Sequence, residues 1–166
     1  ISGLELWAHD TSNSSTWQVA DINSGYGHSY PGTYMTILVG DTIYFDADDG
    51  SSGIELWAHD ISTTSTWRVA DINSGGYSYP GRWGMEILVG DTFYFSADDG
   101  SSGYELWAHD TSTSSTWRVA DINSGSGNAN PGYFAGFTAM GTLLYFDAND
   151  GSSGIELWAH DISTTS

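Results

Sequence analysis

Polar and apolar residues alternate along short runs of this chain. From Thr42 to Ala47, Ile43, Phe45 and Ala47 fall on one side and Tyr44 and Asp46 on the other, which is the two-residue period of a strand. Met35 to Val39, rich in apolar and β-branched residues, precedes this run and closes on Gly40-Asp41. Asp48-Asp49-Gly50-Ser51-Ser52-Gly53 follows it as a turn cluster. Ile54 to Asp60 and Thr66 to Ile72 are two further strand-like runs, joined by Ile61 to Ser65. Gly-Asp and Asp-Gly pairs between such runs mark hairpins, because they supply the positive φ that tight turns require. The pattern predicts a meander of four antiparallel strands. No run carries a helical period with caps, so helix is expected to be nearly absent.

The same pattern returns along the chain. Glu-Leu-Trp-Ala-His-Asp begins at Glu5, Glu55, Glu105 and Glu156, Asp-Ile-Asn-Ser-Gly at Asp21, Asp71 and Asp121, and Tyr-Phe-x-Ala at Tyr44, Tyr94 and Tyr145. A period of about 50 residues is the mark of a repeat architecture, in which each unit buries its apolar faces on its neighbours. The chain reads as one array over residues 1–166, with a partial unit 1–32, full units at about 33–82 and 83–133, and a partial unit 134–166. It opens near the middle of a repeat at Ile1 and stops inside another at Ser166, as expected of a stretch of a longer array or assembly.

Both faces of these strands are apolar. Leu56 and Ala58 point one way while Trp57 and His59 point the other, so each sheet is expected to be covered on both sides. Trp7, Trp17, Trp57, Trp67, Trp107, Trp117 and Trp158 are the expected stacking core, since burying a Trp contributes roughly 3 kcal/mol. The fold class is therefore all-β: tandem four-stranded antiparallel units, stacked as β-propeller-like blades or as an open linear array. About three and a third units are present, while a propeller usually needs at least four blades, so a closed ring would require more repeats or several chains.

The repeated signature resembles the bacterial ELWxxDGT repeat family. The residues that carry the resemblance are Glu5-Leu6-Trp7, Glu55-Leu56-Trp57, Glu105-Leu106-Trp107 and Glu156-Leu157-Trp158, with Asp10, Asp60, Asp110 and Asp161 after them, and Val19-Ala20-Asp21-Ile22 with its later copies. The resemblance implies propeller-like tandem units in large, often secreted proteins, and no defined catalytic role. The chain departs from it after each Asp, reading Asp10-Thr11-Ser12, Asp60-Ile61-Ser62, Asp110-Thr111-Ser112 and Asp161-Ile162-Ser163 where the family has Asp-Gly-Thr.

Charge narrows the partners. Arg68, Arg82 and Arg118 stand against 21 acidic residues, a net charge of -18 that repels nucleic acid phosphates and anionic membrane surfaces. No apolar run is long enough for membrane insertion as a helix. The absence of Cys removes disulfides and thiolate metal sites. An acidic, Lys-free chain rich in Ser, Thr, Asp and Gly suits an extracellular or cell-surface protein.

Several clusters invite chemistry. Asp46, Asp48 and Asp49, with Asp98 and Asp99 and with Asp147 and Asp150 in later copies, could wrap a calcium ion, or form acidic turns bonded to their own backbone. No cofactor is otherwise required. His9, His59, His109 and His160 recur in every copy and are expected as packed, hydrogen-bonded strand residues, not as catalysts. No Gly-x-Ser-x-Gly elbow occurs, and an enzyme is not expected. The hydroxyl-rich connections, with Ser14, Ser15, Thr63, Thr64, Ser65, Thr113, Ser114 and Ser115, are polar loops or glycosylation sites, and Asn13-Ser14-Ser15 is the one N-glycosylation sequon. In the most variable stretch, Tyr26, Tyr30, Tyr77, Tyr79 and Trp83 could stack on sugar rings or simply pack the loops. Arg68 and Arg118 are expected to balance nearby carboxylates.

Two functions fit. One is a structural repeat that self-associates into a fibre, sheath or surface array. The other is a carbohydrate-binding lectin or adhesin propeller assembled from repeats.

Overall fold

A computed structural model describes residues 3–83 and 86–163; Ile1 and Ser166, the expected chain-end positions within partial repeats, lie outside that range. Among the described residues every regular element is a strand. Strands β1 (Leu6–Asp10) and β2 (Ser15–Ala20) form a two-stranded first sheet. The second sheet holds β3 (Thr36–Val39), β4 (Thr42–Asp48), β5 (Ile54–Asp60) and β6 (Ser65–Ala70) in chain order. The third holds β7 (Ile87–Val89), β8 (Thr92–Asp98), β9 (Tyr104–Asp110) and β10 (Ser115–Ala120), and the fourth β11 (Phe137–Met140), β12 (Leu143–Asn149) and β13 (Ile155–Asp161). All pairings are antiparallel between consecutive strands, which is the predicted meander.

Register follows the alternation. Tyr44 opposes Ala58 and Phe45 opposes Trp57, so Tyr44, Leu56 and Ala58 share one face while Ile43, Phe45 and Ala47 share the other. The turn between β5 and β6 is closed by a side chain: Asp60 Oδ1 accepts the Ser62 amide at 2.8 Å and the Ser62 hydroxyl at 2.7 Å. Its left-handed position is taken by Thr64 at φ 58°, with Ser14 and Ser114 in the sister turns. An aspartate-anchored turn thus does the work that glycine does in the Asp-Gly-Thr pattern. Glycine is obligatory at Gly53, where φ is +77° and a Cβ would collide with the Gly76 carbonyl.

The sheets stack face to face in chain order. Tyr44, Leu56 and Ala58 of the second sheet pack on Phe93, Phe95 and Ala97 of the third. Tyr94, Leu106 and Ala108 on the far face of the third pack on Leu144, Phe146 and Ala148 of the fourth. Each cluster mixes large rings and leucines with alanines, a combination of sizes that lets facing layers interdigitate. The tryptophans do not form this centre, and that corrects the sequence expectation. Trp7, Trp17 and Trp67 are 53%, 48% and 40% exposed, while Trp57 is half-buried and Trp107, Trp117 and Trp158 pack part-buried against the two clusters. The indole is too bulky for layers built on alanine. Trp17, Trp67 and Trp117 also lie on β2, β6 and β10, the last strand of each sheet, where one edge is unpaired.

Candidate functional site

The glutamate that opens the first three motifs is a buried latch, whereas Glu156 in the fourth is exposed. Glu55 is buried, and its Oε2 accepts the Ile72 amide at 2.7 Å and the Ser78 hydroxyl at 2.8 Å, while Oε1 accepts the Ser78 amide at 3.2 Å. Glu5 holds the Ile22 amide at 2.8 Å and the Ser29 hydroxyl at 2.7 Å in the same way. Glu105 holds the Ile122 amide at 2.7 Å and the Asn123 amide at 3.2 Å, but Ala129 stands where the other repeats have Ser29 and Ser78. Burial raises the Glu55 carboxyl, and it pushes Glu105 up to about 7. The Glu55 and Glu105 latches tie central strands β5 and β9 to the loop entering the next sheet, and Glu5 does the same from the residue before β1. Sequence reading gave these residues no structural role; the available signal was a glutamate recurring at one fixed position next to the apolar Leu-Trp-Ala run.

The aspartates offered as calcium ligands do not converge. Asp46 is buried and faces backward, its Oδ1 accepting the Tyr34 and Met35 amides at 2.8 and 2.9 Å. Asp147 does the same for Phe134 and Ala135. Asp48 and Asp98 each accept a glycine amide, from Gly50 and Gly100, at 2.7 Å. Asp49 accepts the Ser51 and Ser52 amides at 2.8 and 2.7 Å, and Asp99 and Asp150 repeat that turn. Burial raises Asp49, but the serine donors outweigh it and hold the carboxyl below its ordinary range. Among the described residues no three His, Asp or Glu side chains are grouped to hold a metal ion. Asp46→Ala is expected to cost roughly 1–3 kcal/mol by stranding two amides, read by chemical denaturation, with no dependence of that loss on added calcium.

Three of the four repeated histidines pair across strands, as expected, although His9 is exposed: His9, His59 and His109 Nδ1 lie 2.7, 2.8 and 2.8 Å from the hydroxyls of Thr16, Thr66 and Thr116. Tyr44 of β4 and Tyr94 of β8 also meet the histidine of the following sheet, with Tyr44 and His109 ring centroids 5.3 Å apart and Tyr94 and His160 6.2 Å apart. Desolvation lowers His109 to about 4. Arg68 sits 3.6 Å from Asp49 and 3.4 Å from Asp71, and Arg118 3.1 Å from Asp99, as charge balance required.

The loop residues Asn13, Ser14, Ser15, Thr63, Thr64, Ser65, Thr113, Ser114 and Ser115 are all exposed. Asn13 is engaged in its own turn, donating to Asp10 at 2.8 Å and accepting the Ser15 amide at 2.9 Å. The five aromatic candidates separate. Tyr26 is exposed without a ring contact among the described residues, and Tyr30 pairs with His28 at 5.3 Å. Tyr79 and Trp83 come together on Arg82, which the sequence offered only as part of the charge balance, and Tyr77 stacks on Tyr79.

The fourth sheet leaves its outer face open. Leu56 and Leu106 are 0% exposed, yet Leu157, in the identical hexapeptide of β13, is 76% exposed. At the other end a groove of about 310 Å³ lies between the first and second sheets, lined by Leu6, Ala8, Trp17, Val19, Ile43 and His59. One sheet further on, the equivalent space is filled by Tyr44, whose ring centroid lies 5.0 Å from that of Phe93.

Antiparallel four-stranded units stacked face to face in chain order define a β-propeller-like array of blades. Solved structures share the fold. TolB from Acinetobacter baumannii superposes with a TM-score of 0.53 at 20% identity, over 95% of this chain and 35% of its own. A puromycin hydrolase mutant complexed with PGG superposes with a TM-score of 0.59 at 13% identity, over 90% of this chain and 21% of its own. The chain thus spans about a third or less of the proteins it resembles. The sequence matches no protein-family model and no curated protein.

Proposed function

We propose that this chain is a non-enzymatic, extracellular structural repeat that builds a fibre, sheath or surface array by stacking further units of its own kind. The observation that carries the reading is the fate of one leucine: wholly buried as Leu56 and Leu106 between sheets, and 76% exposed as Leu157 at the end. Ile155 and Met140 are exposed on the same sheet, forming an apolar patch of the kind that marks an interaction surface. The surface that fits it is another sheet of the Phe93-Phe95-Ala97 type, since that is what covers the same residues inside the array. A contact between two different faces of one unit is heterologous and propagates unless its rotation closes a ring. The net charge of -18 opposes such contacts over long range and keeps the array dispersed.

Sedimentation velocity and negative-stain electron microscopy test the reading. Elongated oligomers are expected to grow with protein concentration and with salt, which screens the repulsion. Leu157→Glu, on an exposed side chain, is expected to leave the fold intact and suppress growth. A stable monomer at high concentration and high salt, or a discrete closed ring, would sink the linear array.

A further inference from the structure

The three arginines of this chain are not used alike. Arg68 and Arg118 are each paired with carboxylates, whereas Arg82 has no ion pair among the described residues of a chain bearing 21 acids. Its guanidinium carbon lies over the Tyr79 ring at 4.5 Å and the Trp83 ring at 4.7 Å, and one Nη donates to the Tyr104 hydroxyl at 3.0 Å. Two rings therefore pack on the guanidinium, and its one side-chain hydrogen bond among the described residues leaves most of its N–H donors unused.

The rings around it form a continuous run. Tyr77 stacks on Tyr79 with centroids 5.4 Å apart and planes 19° apart. Trp83 meets Tyr133 at 5.5 Å, and Tyr133 meets Phe134 at 4.5 Å. Tyr77, Tyr133 and Phe134 are exposed. Tyr77 also lines a cleft of about 470 Å³ together with Asp48, Ser51, Ser52 and Ser74.

The fold does not ask for this arrangement. At the position of Tyr77 the flanking repeats place an acceptor for a backbone amide: His28 Nδ1 takes the Leu4 amide at 2.8 Å, and Asn128 Oδ1 takes the Tyr104 amide at 3.0 Å. Tyr77 stacks on a neighbour and stays in water instead. Tyr79 is held at φ 44°, as Tyr30 is at φ 47° in the first repeat, whereas the third repeat has Asn130 at φ 48°, a residue type that adopts this backbone at lower cost.

The geometry points to a binding site for a neutral oligosaccharide, running from the hydroxyl-lined cleft at Tyr77 past Arg82 towards Tyr133. Pyranose rings present apolar C–H faces that pack on aromatic faces, and equatorial hydroxyls that accept from edge-on guanidinium donors. A net charge of -18 selects against polyuronates and other anionic glycans, so the recognised polymer is uncharged. This site is independent of the stacking reading, because none of its rings lies in the buried core that joins the sheets.

Isothermal calorimetry of the full chain with cello-, xylo-, manno- and malto-hexaose, and with hexagalacturonate, tests it. Saturable binding to at least one neutral hexaose is expected, weakened about tenfold by Tyr77→Ala and by Trp83→Ala. Arg82→Gln should weaken it comparably. Tyr77→Ala keeps the test sound if the other variants misfold, because its ring is exposed and its loss should not move the melting temperature or the sedimentation profile. No binding to any neutral hexaose, tighter binding of hexagalacturonate, or binding indifferent to Tyr77→Ala would each overturn the assignment.

Discussion

Leu106→Ala is expected to destabilise the chain by about 2–5 kcal/mol, while Leu157→Ala, in the same hexapeptide, is expected to cost less than about 0.5 kcal/mol. Leu106 is wholly buried among Tyr94, Ala108, Leu144 and Phe146, so truncation removes its transfer energy and leaves a cavity that the facing sheet cannot close. Leu157 has no sheet over it. Urea titration of both variants at a concentration too low for association makes the comparison. The result changes informatively at high concentration: if units stack on the Leu157 flank, Leu157→Ala acquires a cost like that of its buried twin. Equal, small effects at every concentration would mean that the sheet faces contribute little to cohesion.

The second large effect is a pair of opposed pH dependences in one strand. The Glu105 carboxyl is pushed up to about 7 by burial, so between pH 4.5 and 7 the folded chain holds a proton that the unfolded chain has released. Its contribution to stability is complete below pH 4.5 and is lost as pH rises through 7. His109 runs the other way: lowered from 6.5 to about 4 by desolvation, it contributes fully above pH 6.5 and loses that contribution as pH falls through 4. Each swing is on the order of 3 kcal/mol, so their slopes oppose between pH 4.5 and 6.5, where the net dependence of this pair is nearly flat. Glu105→Gln is expected to unmask the histidine slope and His109→Gln the glutamate slope, read as denaturation midpoints across that range. Ala129→Ser offers a gentler check. Restoring the hydroxyl that Ser29 and Ser78 provide in the sister repeats should pull Glu105 down and add about 1 kcal/mol at neutral pH.

The strand pattern of this chain was legible because its signals are local. Period-two alternation in Thr42 to Ala47 and Gly-Asp at Gly40-Asp41 are read over a few residues, and β4 runs Thr42–Asp48 as that pattern implies. The face-to-face stacking was legible from Leu56 and Ala58 opposing Trp57 and His59. Which of those apolar residues would fill the centre was not. Size alone nominates the tryptophans, but the spacing between sheets is set by Ala47, Ala58, Ala97 and Ala108, and phenylalanine and leucine fit opposite them where indole does not. The glutamate latch was hidden because Glu reads as a surface residue and its donors lie far along the chain, at Ile72 and Ser78 for Glu55. The ring cluster was half visible: Tyr77, Tyr79 and Trp83 are neighbours in sequence, whereas Tyr34, Tyr104 and Tyr133 reach Arg82 and Trp83 only through folding.

Because each sheet gains its cohesion from the sheets before and after it, the array should behave thermodynamically as a one-dimensional lattice. Lengthening it by whole repeats would raise the melting midpoint steeply at first and then towards a plateau, as interfaces come to outnumber termini. Copy number would then set durability, a property that tandem duplication can adjust without altering a single side chain.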